Sequence, residues 1–179
     1  MKIKVLSIVL GIFITISCDS HNANNELMLE KIAKKEQSIK QISIDLKPGQ
    51  VIPMSESDEL VELLLSYYES FPNSIEAPLC LDKIHMIYSS TKRYPLSIKY
   101  GDILLDEYPN YINRTMIIES MAVTYDIFIL PRDIEKIRYY NELLLKENPE
   151  LPEEKQAEIK FKLENLDLTL EELIRKSNQ

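Results

Sequence analysis

The chain has no tryptophan, three glycines and two cysteines among its 179 residues. Three isolated glycines cannot form the glycine-rich loop whose backbone amides cradle a phosphate. Neither a Gly-x-Ser-x-Gly elbow nor a His-Glu-x-x-His pair occurs. Two cysteines, Cys18 and Cys80, exclude a disulfide framework. Basic residues are in the minority, 21 against 29 acidic, and the net charge of −8 speaks against nucleic acid as a partner. The apolar run Val5–Ile16 is too short to span a bilayer.

That run has a different meaning beside its flanks. Lys2 and Lys4 precede it, and it closes on Thr15-Ile16-Ser17-Cys18. A positive start followed by a short apolar stretch is the pattern of a secretory signal. The closing residues resemble the lipobox of bacterial lipoproteins, in which the cysteine is acylated and becomes the mature N-terminus. The resemblance implies a signal peptide over 1–17 and a lipid anchor on Cys18. Two alternatives are a plain secretory signal and an uncleaved anchor. Without Lys2 and Lys4 the balance is 29 acidic to 19 basic residues. Asp19–Asn25 is short and polar, so 18–25 is expected to be a tether.

Beyond the tether the pattern is helical throughout. Leu29, Ile32, Ile39, Ile42 and Leu46 lie loosely on one stripe, which predicts a peripheral helix over Glu26–Leu46, or a short coiled-coil contact, followed by a loop to residue 56. Ser57–Ser70 reads as a helix capped by Ser55 or Ser57, with Leu60, Leu63, Leu64 and Tyr67 inward. In Pro78–Tyr111, Leu81, Ile84, Ile87 and Tyr88 share a helical face, and Ser89-Ser90-Thr91 breaks it. Pro95 suits the first turn of the next helix, and Pro109-Asn110 stops that helix. Phe71-Pro72, Tyr108-Pro109 and Asn148-Pro149 end three helices alike, with the prolines 37 and 40 residues apart. Asp133 is placed to cap Ile134–Glu147, and Thr169-Leu170-Glu171-Glu172 is a capping box opening a last helix over Leu170–Lys176, after one over Pro152–Leu166.

Pro78–Tyr111 is 34 residues long, the period of a tetratricopeptide repeat, and resembles that repeat position by position. Leu81, Ile84 and Tyr88 take the first-helix signature, Ser97 the small residue between helices, Leu104 a later packing position and Pro109 the close. His85 stands where the repeat has glycine and Gly101 where it has an aromatic, which leaves two readings: Gly101 compensates for the bulk of His85, or a small residue is merely allowed there. Counting back from Pro149 puts Met121, Thr124, Tyr125 and Phe128 on the next signature. Ser57–Ser70 is read as a half repeat without a first helix.

Residues 57–176 thus resemble the tetratricopeptide-repeat lipoproteins of Gram-negative bacteria, similar to those of outer-membrane β-barrel assembly and of the Tol–Pal system. The resemblance implies an all-α fold: a short α-solenoid of antiparallel helix hairpins over 57–179 with a C-terminal capping helix. It further implies a non-enzymatic adaptor, without cofactor or metal, anchored at the outer membrane and facing the periplasm, or else a stoichiometric subunit of an envelope assembly. Its partner-binding residues would be those between the packing positions of each first helix: Asp82, Met86 and Ser89, then Glu119, Ala122, Asp126 and Ile129. Their mixture of carboxylates and apolar groups calls for a protein segment with basic residues and apolar anchors. Asp82 and His85 share a helical face but lack further metal ligands at a recognisable spacing. Of the adjacent pairs Tyr67-Tyr68 and Tyr139-Tyr140, one ring each must face outward.

Overall fold

The computed structural model describes residues 6–177, and the side chains of 22–169 and of 171, 172, 175 and 176. Lys2, Lys4 and the side chain of Cys18 lie outside the described residues. The described backbone is helical and contains no strand. In order it forms α1 (Leu6–Asp45), α2 (Met54–Ser70), α3 (Ala77–Ser90), α4 (Tyr94–Glu107), α5 (Arg114–Val123) continued by a π-helical turn (Thr124–Phe128), α6 (Ile134–Glu147), α7 (Glu153–Glu164) and α8 (Leu170–Ser177). Packing divides the chain into two compact units, with the division inside α3 between Cys80 and Leu81.

In the first unit α1 and α2 form an antiparallel hairpin. Pro48, Gly49 at φ +86° and Pro53 interrupt the helix between them. Lys35 on α1 bridges Glu56 at 2.9 Å and Glu59 of α2. At the far end the hydroxyl of Tyr67, fully buried, lies within hydrogen-bonding reach of Asn25 Oδ1 (3.0 Å), Ser74 Oγ (3.1 Å) and Glu76 Oε2 (3.2 Å). Three expectations change here. The stretch expected as a tether is helical, its Asn25 being a partner of Tyr67. The helix read as a half repeat without a helix before it has one packed against it, because α1 lies along α2. And α2 starts at Met54 behind Pro53, with no serine side chain capping it.

In the second unit α4 packs on α5, α5 on α6 and α6 on α7. Pro95 lies in the first turn of α4, Asp133 Oδ1 accepts the amide of Lys136 at 3.0 Å, and Thr169 and Glu172 form the expected capping box. The three proline-marked helix ends share one geometry. The amides of Phe71, Tyr108 and Asn148 donate to the carbonyl four residues back at 2.9, 3.1 and 3.2 Å. Their own carbonyls accept from the residue three further on at 3.0, 3.0 and 3.2 Å. The proline that follows cannot donate, so the helix stops there.

Burial repeats as well. In α3 the buried residues Cys80, Leu81, Ile84, His85 and Tyr88 have counterparts 37 residues on in Ile117, Ile118, Met121, Ala122 and Tyr125, all buried. In the second helices, Ser97, Gly101 and Leu104 have counterparts 40 residues on in Ile137, Asn141 and Leu144, also buried. The same ring pair closes both hairpins, Tyr88 on Tyr100 and Tyr125 on Tyr140, each with centroids 5.6 Å apart. The three extra residues of the later hairpin therefore lie after Tyr125, in the π-helical turn and the loop behind it. The burial pattern of Leu81, Ile84, His85 and Tyr88 recurs on Ile118, Met121, Ala122 and Tyr125, three residues earlier than the count back from Pro149 places the expected signature.

Candidate partner-binding face

His85 and Gly101 show how α3 meets α4. His85 is fully buried. Its Nδ1 lies 2.9 Å from the carbonyl of Ser97, which can only accept, so Nδ1 carries the proton. Nε2 then accepts from the hydroxyl of Ser120 on α5 at 2.9 Å, and the Ser97 hydroxyl donates to the His85 carbonyl at 3.0 Å. Burial pushes the imidazole pKa below its ordinary value, against smaller upward effects of the Ser97 carbonyl and Asp82. A β-carbon on Gly101 would stand 3.1 Å from His85 Nδ1 and 2.6 Å from Met121 Sδ. The glycine does make room for the histidine, and for a methionine besides. Neutral, satisfied on both nitrogens and enclosed, His85 is a packing residue.

The residues expected to meet a partner divide. Met86 is 57% exposed. Asp82 is half-buried on the same helix, where Oδ2 accepts from the Tyr111 hydroxyl at 2.6 Å and from Asn113 Nδ2 at 3.3 Å. Burial is the main reason the Tyr111 pKa is raised, with the hydrogen bond to Asp82 adding to it. Ser89 is half-buried, and its carbonyl accepts from the Lys92 amide. Glu119 faces outward and pairs with Lys155 at 2.8 Å. Ile129 is half-buried where the chain leaves the π-helical turn.

Ala122 and Asp126 are corrections. Ala122 is buried at the position equivalent to His85. The side chain of Asp126 has no exposed surface: Oδ1 accepts from Arg132 Nη2 at 2.7 Å, and Lys162 Nζ stands 3.0 Å from Oδ2, an ion pair off the hydrogen-bond direction. Arg132 also donates through Nη1 to the Leu168 carbonyl at 2.7 Å and to that of Leu166 at 3.3 Å. Asp126 thus anchors the loop before α6 to α7 and the segment before α8 and cannot meet a partner's side chain. Counting three residues too late had turned the inner face of α5 outward.

In the corrected alignment the outward face of α5 presents Met116 (67% exposed), Glu119 and Val123. Their equivalents in α3 are Leu79, Asp82 and Met86, with both methionines and Leu79 exposed. An apolar group, a carboxylate and a second apolar group thus recur at spacings of three and four, one face of a helix. Met116, Val123 and Leu79 were missed with the register; the repeat Cys80-Leu81-x-x-Ile84-x-x-x-Tyr88 in Ile117-Ile118-x-x-Met121-x-x-x-Tyr125 was the available signal.

On α4 and α6 a polar cleft of about 310 Å³ is lined by Asp102, Asp106, Arg114, Lys136, Tyr139 and Tyr140, among others. Two of its charged groups, Asp102 and Arg114, are engaged. Tyr140 donates to Asp102, and Arg114 grips Glu147 at 2.7 and 3.0 Å, which holds that carboxyl below the usual carboxylate range. Of the two adjacent tyrosines, Tyr140 is buried and Tyr139 exposed, as expected. Among the described residues no three histidine, cysteine, aspartate or glutamate side chains are grouped to hold a metal ion.

No family model, no curated protein and no solved structure matches the chain.

Proposed function

We propose that this chain is a non-enzymatic adaptor of the bacterial envelope, tethered by an acylated Cys18 at the outer membrane and facing the periplasm. Its helical hairpins form a short tetratricopeptide-like solenoid closed by α7 and α8. The outward faces of its first helices take up a protein segment carrying apolar anchors and a basic residue. One observation carries this reading: Met86 on α3 and Val123 on α5 are exposed at equivalent positions, each four residues after a half-buried carboxylate, Asp82 or Glu119, although packing of the core does not require an apolar group there. Each carboxylate is engaged through one oxygen, by Tyr111 and Asn113 or by Lys155. Such anchored acids between apolar groups suit a segment with a cation between two apolar side chains.

The test is a photo-crosslinker at Met116 in the membrane-extracted protein, with and without Met86→Lys and Val123→Lys. The adduct formed by the parent should be lost in the double variant while helicity and melting are retained, since both side chains are exposed. An adduct of unchanged yield in the double variant excludes this face. The molar ratio of partner to adaptor after purification separates a stoichiometric subunit from an adaptor that serves several partners.

A further inference from the structure

Two of the loops that join a first to a second helix, those before α4 and α6, bring exposed apolar groups and cations together. In one hairpin the loop is Thr91-Lys92-Arg93, where Lys92 takes φ +60° and turns the chain sharply into Tyr94 and α4. In the next it is residues 129–133, after the π-helical turn. The two lie side by side, because the Tyr94 and Phe128 rings stack with centroids 4.3 Å apart and planes within 8°. Around that stack Leu96, Ile127, Phe128 and Leu130 are exposed, Leu130 to 81%.

Residues 91–99 hold three cations, Lys92, Arg93 and Lys99, and no acid, in a chain of net charge −8. Lys92 and Lys99 are exposed. Of the nearby acids, Asp102, one turn beyond Lys99 on α4, accepts from Tyr140, Asp126 is sealed beneath Arg132 and Lys162, Asp133 is turned to the amide of Lys136, and Glu135 stands on α6 beyond the loop. The tip is thus apolar and aromatic at its centre with lysines beside it.

We propose that this tip, formed by the loops at 91–96 and 127–131, is a membrane-contacting surface that inserts Leu130 and the Tyr94–Phe128 stack among anionic lipid headgroups. Aliphatic groups at the end of a loop enter the acyl boundary, tyrosine rings reside at the headgroup level, and lysines reach the phosphates beside them. The charge complementarity favours an anionic bilayer: residues 91–99 carry three cations and no acid, in a chain whose net charge is −8. The inference does not rest on the adaptor reading or on lipidation of Cys18.

The lack of tryptophan makes the test local. Leu130→Trp in the full chain gives a single reporter at an exposed site. Met116→Trp gives a control at the opposite end of the same helical segment. With vesicles of phosphatidylcholine and phosphatidylglycerol, emission from position 130 should shift to the blue and be quenched by brominated acyl chains, while position 116 stays water-like. At one vesicle concentration below saturation, Lys92→Gln and Lys99→Gln should each reduce the ratio of inserted to water-exposed tryptophan roughly fivefold, and phosphatidylcholine alone should act on the parent as the two lysine substitutions combined do. Because the reporter senses only its own surroundings, an N-terminus held in the bilayer does not mask the result. Water-like emission at 130, equal shifts at 130 and 116, or indifference to the lysines would each overturn the proposal. Shielding of position 130 by envelope proteins but not by vesicles would make the tip a protein contact and overturn it as well.

Discussion

Gly101 has no room for a β-carbon, since Met121 Sδ would lie 2.6 Å away and His85 Nδ1 3.1 Å away in a closed core. Overpacking there should cost about 1–3 kcal/mol, against a gain of ~1 kcal/mol from alanine's helix propensity. Gly101→Ala is therefore expected to lower stability in denaturant melts. Much of that loss should vanish in a Met121→Ala background, where the clash is gone. Gly101→Phe should not fold. His85 makes stability depend on pH. Its folded pKa is depressed by burial below the unfolded value near 6.5, so protons bind the unfolded chain more tightly. The stabilisation is whole above pH 6.5 and falls as pH drops through that value, by up to about 1.4 kcal/mol per unit. Subtracting the pH profile of His85→Gln from that of the parent should leave a loss of stability that sets in as pH falls below 6.5; a flat difference would exclude His85 as its source.

At the scale of elements, the loop before α6 depends on one ion cluster. Asp126 faces Arg132 and Lys162 with its side chain wholly enclosed, and Arg132 carries the link on to the carbonyls of Leu166 and Leu168. Asp126→Ala leaves two cations without their counter-charge and should cost about 3 kcal/mol by chemical denaturation. Charge reversal at Asp126 would weaken partner binding through this loss of structure, so melting should fall along with affinity. The second helices, their proline-ended stops and the caps at Asp133 and Thr169 were legible because each depends on residues within one turn. The inward phase of α5 was not, for the opposite reason. It was counted from Pro149 across a loop whose length only tertiary packing reveals, although Ile117-Ile118 and Tyr125 repeat Cys80-Leu81 and Tyr88 in plain sequence. The helical state of Asp19–Asn25 was hidden in another way, since its polar residues read as solvated until Tyr67 supplies Asn25 with a buried partner.

At the scale of the whole molecule, no helix of the described residues is long and apolar enough to cross a membrane. If Cys18 bears the anchor, Cys18→Ser should leave unprocessed precursor or release the protein from the membrane on fractionation. A variant that is processed and sediments as the parent does would remove the lipobox reading. The pairing of His85 with Gly101 has a consequence on the same scale. Chains built of similar hairpins risk folding with the first helix of one against the second helix of another. Exchange here would set His85 against Asn141, an overfilled seam, and Ala122 against Gly101, a hollow one. Either error forfeits packing that the correct partners retain, so the two hairpins are keyed to their own halves. The same keying would make exchange of single helices between the repeats, by recombination or by design, yield chains that fail to assemble unless both residues of a pair travel together.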